Sequence, residues 1–261
     1  MELHLYPHLH LLVSGGNSQI LYLRSWNDYE VIGKTLDDAA GECFDKTARM
    51  LGLPYPGGVY LSKIAGVADK NHLKFPVGMK DSKEYNFSFS GLKTAVRYYL
   101  EKLEFGNGER FELEKKLGVE EIEFLVKHSL EEILHYAVPT TKADKILKQV
   151  QDDTLGVQDD KSGNQNDNLE KLATIKTVCI TVQSVIVEAL LNKVDLAFKN
   201  LEVSSIGLSG GVSANPLLRQ KLEQRYGDIL LLAPKPLTGD NAVMIGLAGI
   251  LDWKNGNVDQ V

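Results

Sequence analysis

The chain has 261 residues, 43% of them apolar, and a formal net charge of −6. That supply of apolar residues can bury one good core and carry one domain with a substantial insert, which excludes a fibre or a wholly disordered chain. The acidic balance argues against broad, sequence-independent nucleic-acid binding, which relies on a basic face, so any nucleic-acid partner needs a local patch or a helper protein.

The N-terminal segment holds His4, His8 and His10. His4 and His8 have the i,i+4 spacing that binds metal on a helix, but Pro7 between them keeps the pair off one helical face. From Leu9 the pattern predicts three consecutive antiparallel strands, over 9–14, 19–25 and 29–34, joined by short polar turns. The first runs into Leu11–Ser18, LLVSGGNS, a form that recurs at Ile206–Ser213 as IGLSGGVS. Two glycines after a buried strand permit positive φ and remove every Cβ, so backbone amides can crowd round a phosphate, and the flanking serines add hydroxyl donors. One copy is commonly just a tight turn; two copies far apart in the chain point to two phosphate-facing loops in one site.

Thr35 is expected to cap a helix with Asp38 three positions on, and Ala39, Cys43, Thr47 and Met50 follow at helical spacing until Gly52. A second stripe carries Asp38, Glu42 and Asp45, which suits a solvated face or else a magnesium-nucleotide or a ribose. Tyr55-Pro56-Gly57-Gly58 is a turn, and 59–68 a short helix. Asn86–Ser90, NFSFS, alternates as a strand does, and Gly91 opens a helix whose Lys93 and Arg97 either meet an anionic substrate or stay on a solvated face.

Between 119 and 137 a helical stripe runs through Ile122, Leu125, Val126, Leu130, Ile133 and Leu134. The polar stretch 139–168 cannot supply a core of its own and is expected to be a partly mobile insert. Leu169–Lys199 is a long helix carrying Cys179; with Cys43 it forms neither a metal spacing nor a disulfide framework. Val203–Leu208 is a buried strand entering the second Ser-Gly-Gly, Asn215-Pro216 starts a helix, and 228–233 is a further strand. Asp240 opens the last helix as its N-cap, with Gly246, Ala248 and Gly249 permitting close packing. The longest apolar stretch, 242–251, is about half of what a bilayer requires, and no basic segment leads into an apolar one at the N-terminus, so no membrane and a cytoplasmic location are expected.

The chain thus divides into 1–138, the first part of an α/β lobe with a three-stranded meander plus helices; 139–168, the polar insert; and 169–261, the second part of the same lobe. Three antiparallel strands, a helix, an insert, and then helix-strand-helix-strand-helix is the plan of a ribonuclease-H-like lobe, the unit of actin-like ATPases, with a mixed sheet flanked by helices. Both Ser-Gly-Gly loops would sit at strand ends, where open α/β sheets bind ligands.

Five motifs in series, LLVSGGNSQ at 11–19, DDAAGECFDKTARMLGLPYPGG at 37–58, NFSFSGLKTAV at 86–96, GGVSANPLLR at 210–219 and TGDNAVMIGLAG at 238–249, carry a closer likeness. Together they resemble the tRNA adenosine threonylcarbamoyltransferase family, once described as O-sialoglycoprotein endopeptidase, over 9–106 and 172–251. The resemblance implies an actin-like fold that moves the threonylcarbamoyl group from threonylcarbamoyl-adenylate to adenosine 37 of tRNAs reading codons that start with A. Its partners would be tRNA, the adenylate and proteins of the tRNA-modification complex. Leu12, Val13, Ser14, Gly15 and Gly16 would line the phosphates of ATP or the acyl-adenylate, Asp45 and Gly58 would contact the nucleoside, and Asn215 the substrate. Asp240 would be the carboxylate ligand of a divalent metal: iron, zinc or magnesium. No catalytic residue is singled out.

Members of that family carry a preceding lobe and a His-Met-Glu-x-His motif that supplies two metal ligands. Here Met1-Glu2-Leu3-His4 matches its tail, so His4 stands for the second histidine, the first has no counterpart, and the preceding lobe is expected to be missing. Two alternatives follow: a truncated, non-catalytic relative serving as a nucleotide-binding scaffold for a full-length transferase, and an actin-like small-molecule kinase. The kinase would share the phosphate loops but not the Gly-Val-Ser-Ala-Asn segment.

Overall fold

In a computed structural model, residues 5–68, 73–104, 108–129, 132–133, 164–239, 242–254 and 256 are described. Leu9, Leu11 and Val13 alternate with His8, His10 and Leu12, and this period of two makes β1 (His8–Val13) a strand with one face wholly in the core. β2 (Ser18–Ser25) and β3 (Asp28–Lys34) continue it as an antiparallel meander, with Leu11 opposite Ile20 and Tyr22 opposite Glu30. On the other side of β1, β4 (Ser205–Ser209) runs parallel, placing His8 opposite Ser205 and Leu12 opposite Ser209, and β5 (Leu230–Leu232) runs parallel to β4. The sheet order β3-β2-β1-β4-β5 is that of the ribonuclease-H-like lobe. Because β1 and β4 are parallel neighbours, the two Ser-Gly-Gly loops emerge side by side from the same sheet edge.

The helices are α1 (Ala40–Met50), α2 (Gly57–Ala65), α3 (Ser90–Glu101), α4 (Val119–Lys127), α5 (Asn164–Asn200), α6 (Pro216–Tyr226) and α7 (Ala242–Lys254). α5 is the spine of the core, burying Val178, Cys179, Val182, Ile186, Leu190 and Val194 and packing on α1 and α2. Within its stretch 168–200 an 18-residue window is long and apolar enough to cross a membrane, a property the apolar count over 242–251 passes over, but 83% of that window is buried within the protein. Two lysines are buried on it. Lys193 Nζ donates to the carbonyls of Ser82 (2.9 Å) and Glu84 (2.8 Å), and Lys176 Nζ to those of Leu125 and His128 near the end of α4. Each ammonium replaces water by carbonyl oxygens and stitches a loop or helix end to the spine.

Several expected boundaries move, each for a local reason. α1 begins at Ala40, not after Thr35: Thr35 Oγ1 donates to the carbonyl of Asp38 (2.6 Å) and closes a turn of its own. The first amides of α1 go instead to Ser18 Oγ, from Ala40 (2.8 Å), and to the carbonyl of Ser14, from Gly41 (3.1 Å). Asp38 therefore precedes the helix and shares no stripe with Glu42 and Asp45. NFSFS is not a strand, since only Phe87 bridges Thr35. The Asp37 carboxylate takes its polar groups, accepting from the amides of Phe89 (2.7 Å) and Ser90 (3.2 Å) and the hydroxyls of Ser88 (2.6 Å) and Ser90 (2.8 Å). Asp37 thus caps α3 from a distant segment. Helix α5 starts at Asn164, five residues inside the expected insert, and 139–163 lie outside the described residues. A Cβ on Gly246 or Gly249 would meet nothing within 4 Å, so among the described residues the close packing expected of α7 is not formed there.

Candidate functional site

The two loops reach the sheet edge by different means. In the first, Ser14 Oγ accepts from the amides of Gly16 (3.3 Å) and Asn17 (3.0 Å), so those two donors are turned inward rather than towards a ligand. Gly15 and Gly16 do not adopt positive φ, and a Cβ on either would meet nothing within 4 Å. Their value is an open surface. Close approach is supplied by Gly41 at the start of α1, whose Cβ would stand 2.6 Å from the Ser14 carbonyl. In the second loop Gly210 has φ +90°, and a Cβ there would lie 2.2 Å from the Val13 carbonyl, so this position requires glycine.

Between the loops lies a cavity of about 450 Å³, lined by Gly15, Asp45, Gly58, Ser62, Gly211 and Asn215, with Lys63 and Lys235 also on its wall. That volume is in the range of small-molecule sites. Asp45 and Gly58 are joined directly: the Gly58 amide donates to Asp45 Oδ1 at 2.7 Å, while Oδ2 accepts no hydrogen bond among the described residues. Of the expected Leu12–Gly16 run only Gly15 lines the cavity. Val13 is in the core, Leu12 lies on the other face of the sheet, and Ser14 and Gly16 are occupied with one another.

Asn215 is present at the wall but differently employed. Its Oδ1 accepts from the Leu218 amide (3.0 Å), capping α6 behind Pro216, and its Nδ2 donates to Ser62 Oγ (2.8 Å) and Gln183 Oε1 (2.7 Å). With all these positions used, its side chain braces α2 and α5 and has no donor left for a substrate. Ser62 gains what Asn215 gives up, since it accepts that bond and keeps its own proton for the cavity. Ser62, Lys63 and Lys235 went unnoticed in the sequence. Ser62 and Lys63 carried one usable signal, lying about one helical turn from Val59 on α2; Lys235 carried none.

The cations and acids on the flank sort themselves out. Asp38 is bound by Lys46 (2.9 Å) and Lys93 (2.8 Å), which hold its carboxyl below the usual range against the opposing cost of burial. Glu42 pairs with Lys46 and Arg97 with Glu101, so of the three acids Asp38, Glu42 and Asp45 only Asp45 lines the cavity, and Lys93 and Arg97 do not. Lys63 sits 5.8 Å above the Tyr60 ring, and neither it nor Lys235 forms an ion pair among the described residues. Two cations and one carboxylate on the wall of one cavity suit a ligand with an anionic end and a hydroxylated end.

The described residues hold no metal-binding cluster of their own. Among the described residues no three His, Cys, Asp or Glu side chains converge, and Asp240 and His4, on which the metal expectation rests, lie outside them. Cys43 is no substitute, because burial and Asp38 push its thiol up to about 12.

A family model described as tRNA N6-adenosine threonylcarbamoyltransferase matches residues 1–247. Relatives bearing that same description include those of Thermosipho africanus, 36% identical over 96% of this chain and 59% of the relative, and Thermosipho melanesiensis, 35% identical over 93% and 55%. That of Christiangramia forsetii is 32% identical over 94% of this chain and 54% of its own length. The chain spans little more than half the length of these relatives.

Proposed function

The chain belongs to the tRNA N6-adenosine threonylcarbamoyltransferase family, and from that premise we propose that its cavity holds the adenylate half of threonylcarbamoyl-adenylate, or ATP, during the modification of adenosine 37 in tRNAs reading codons that start with A. One juxtaposition supports this above all: Gly15, Asp45, Gly58 and Gly211, from separate segments, line a single cavity at the sheet edge. In this reading the anionic phosphate lies by Gly15, Gly211, Lys63 and Lys235, and Asp45 accepts from the ribose hydroxyls, with Ser62 as a further donor.

The chemistry asks little more than positioning. The N6 amine of adenosine attacks the carbamoyl carbon, the bond from that carbon to the phosphate oxygen breaks, AMP leaves with the electron pair, and the amine gives up a proton. An acyl-adenylate is already activated, so the protein contributes by orienting the two reactants and by stabilising charge on the departing phosphate. Iron, zinc or magnesium, where bound, would supply Lewis acidity or a phosphate clamp, with Asp240 and His4 as ligands. The acidic net charge suits a tRNA presented with the help of partner proteins, and the setting would be the cytoplasm.

Calorimetric titration of ATP into this chain, beside Asp45→Asn, tests the reading. Asn keeps an acceptor for the Gly58 amide and removes the charge that would bind the ribose. The expected result is saturable binding weakened about tenfold or more by the substitution. No binding at millimolar ATP would overturn the reading and favour a non-catalytic scaffold.

A further inference from the structure

On the sheet face opposite the core, four side chains of β1 and β4 form a continuous hydrogen-bonded row. His8 Nδ1 lies 2.6 Å from Ser205 Oγ, His8 Nε2 lies 3.2 Å from His10 Nδ1, and His10 Nε2 lies 2.7 Å from Ser209 Oγ. The row passes over Gly207, where a Cβ would stand 2.4 Å from His10 Nδ1 and 2.6 Å from His8 Nε2. Only glycine leaves room for the two rings.

Burial favours the neutral state of both rings, and with both neutral a proton count fixes the direction of every bond. Ser205 Oγ donates its single proton to the Leu5 carbonyl, so it must accept from His8 Nδ1. His8 is then the Nδ1–H tautomer, and its bare Nε2 accepts from His10 Nδ1. That leaves His10 Nε2 bare as well, and the proton in the last bond is the hydroxyl proton of Ser209. With both imidazoles neutral, each of the four side chains is satisfied in this one direction. An added proton on either ring would set two donors face to face or reverse the bond to Ser209.

Ser209 is the last residue of β4 and the entrance to Gly210–Gly211. The backbone ladder ends with it, opposite Leu12, and the next residue is the left-handed Gly210. We infer that His8 and His10 form a directionally ordered relay that anchors the Ser209 hydroxyl and thereby fixes the second glycine loop, making His10 a positioning residue of the ligand site. Its bearing on ligand binding rests on the reading of that loop as a wall of the nucleotide site.

The test joins a spectroscopic signature to a loop readout and an affinity. Long-range ¹H–¹⁵N spectra of the histidine-labelled chain at neutral pH should show both rings protonated at Nδ1 and bare at Nε2. Amide exchange at Ser213, whose N–H is bonded to the Gly210 carbonyl at 2.9 Å, should quicken in His10→Phe and in Ser209→Ala, no further in the double variant, and return in Ser209→Thr. ATP affinity should follow the same order, with losses of about tenfold. A ring protonated at Nε2, or losses that add in the double variant, would overturn the relay. Ser213 exchange that does not respond to either substitution would do the same. If His10→Phe does not fold, the wild-type spectra with Ser209→Ala and Ser209→Thr decide the matter. If the wild type binds no ATP, the nucleotide reading fails, while the spectra and the exchange rates still judge the relay.

Discussion

His10 couples the site to pH through stability. Burial, with His8 beside it, brings its pKa from 6.5 down to about 4. Between those values the unfolded chain holds a proton that the folded chain does not, so stability rises with pH across that window. The contribution is complete above about 6.5 and is lost as the pH falls towards 4. Urea titrations at pH 7 and pH 4.5 should show the wild type losing about 2–3 kcal/mol more than His10→Phe. Carboxylates titrate in both proteins over the same range, so the difference between the two reports the imidazole.

At the scale of elements, two distant segments hold each other in place. The Asp37 carboxylate caps α3 with four accepted hydrogen bonds, and the same short segment carries Asp38, which pairs with Lys93 on α3. Asp37→Ala removes all four bonds and leaves the helix start uncapped. The expected cost is about 1–2 kcal/mol, read as a lower urea midpoint with an unchanged slope. Hydrogen bonds to the ionised form hold Asp37 below the usual carboxylate range although burial works the other way. A cap of this kind links chain positions fifty residues apart, so no scan for Ser, Thr, Asp or Asn immediately before a helix could find it.

At the scale of the molecule, the sheet presents unequal faces. One carries Leu9, Leu11, Val13 and Ile20 into the core shared with α1, α2 and α5; α7 leaves apolar side chains in solvent, with Ile245 72% and Trp253 71% exposed. Its tie to the sheet edge includes a hydrogen bond from Trp26 Nε1 to Asp252 Oδ1 at 3.2 Å. Contiguous apolar surface of this kind is uncommon on a soluble monomer. The native chain should therefore bind an apolar dye such as ANS, and Ile245→Glu combined with Leu247→Lys should lower the fluorescence without changing the far-ultraviolet circular dichroism. A dye signal that survives both substitutions would place the exposed apolar surface elsewhere.

The sequence by itself determined the five strands of the sheet, most of the helices and the family, because period-two and period-3.6 patterns and Gly, Pro and Asn punctuation are local properties; the alternation of NFSFS alone misled. β1, β2 and β3 lie within a residue of the stretches expected, and Asn215-Pro216 starts α6 as its residue types dictate. Asp45 and Gly58, both named from the sequence, prove to be hydrogen-bonded to each other. What only the tertiary structure decided was the partner of each polar group. The side-chain amide of Asn215 is consumed by Ser62 and Gln183, the amides of Gly16 and Asn17 by Ser14, and the carboxylates of Asp38 and Glu42 by Lys46 and Lys93. The spacing of His4 and His8 is one that metals use, although Pro7 interrupts it; His8 and His10 instead found serines, because a parallel strand nearly two hundred residues away set Ser205 and Ser209 beside them. A donor bonds to whatever acceptor the fold brings within about 3 Å, and that distance is fixed by packing between segments that no local pattern connects.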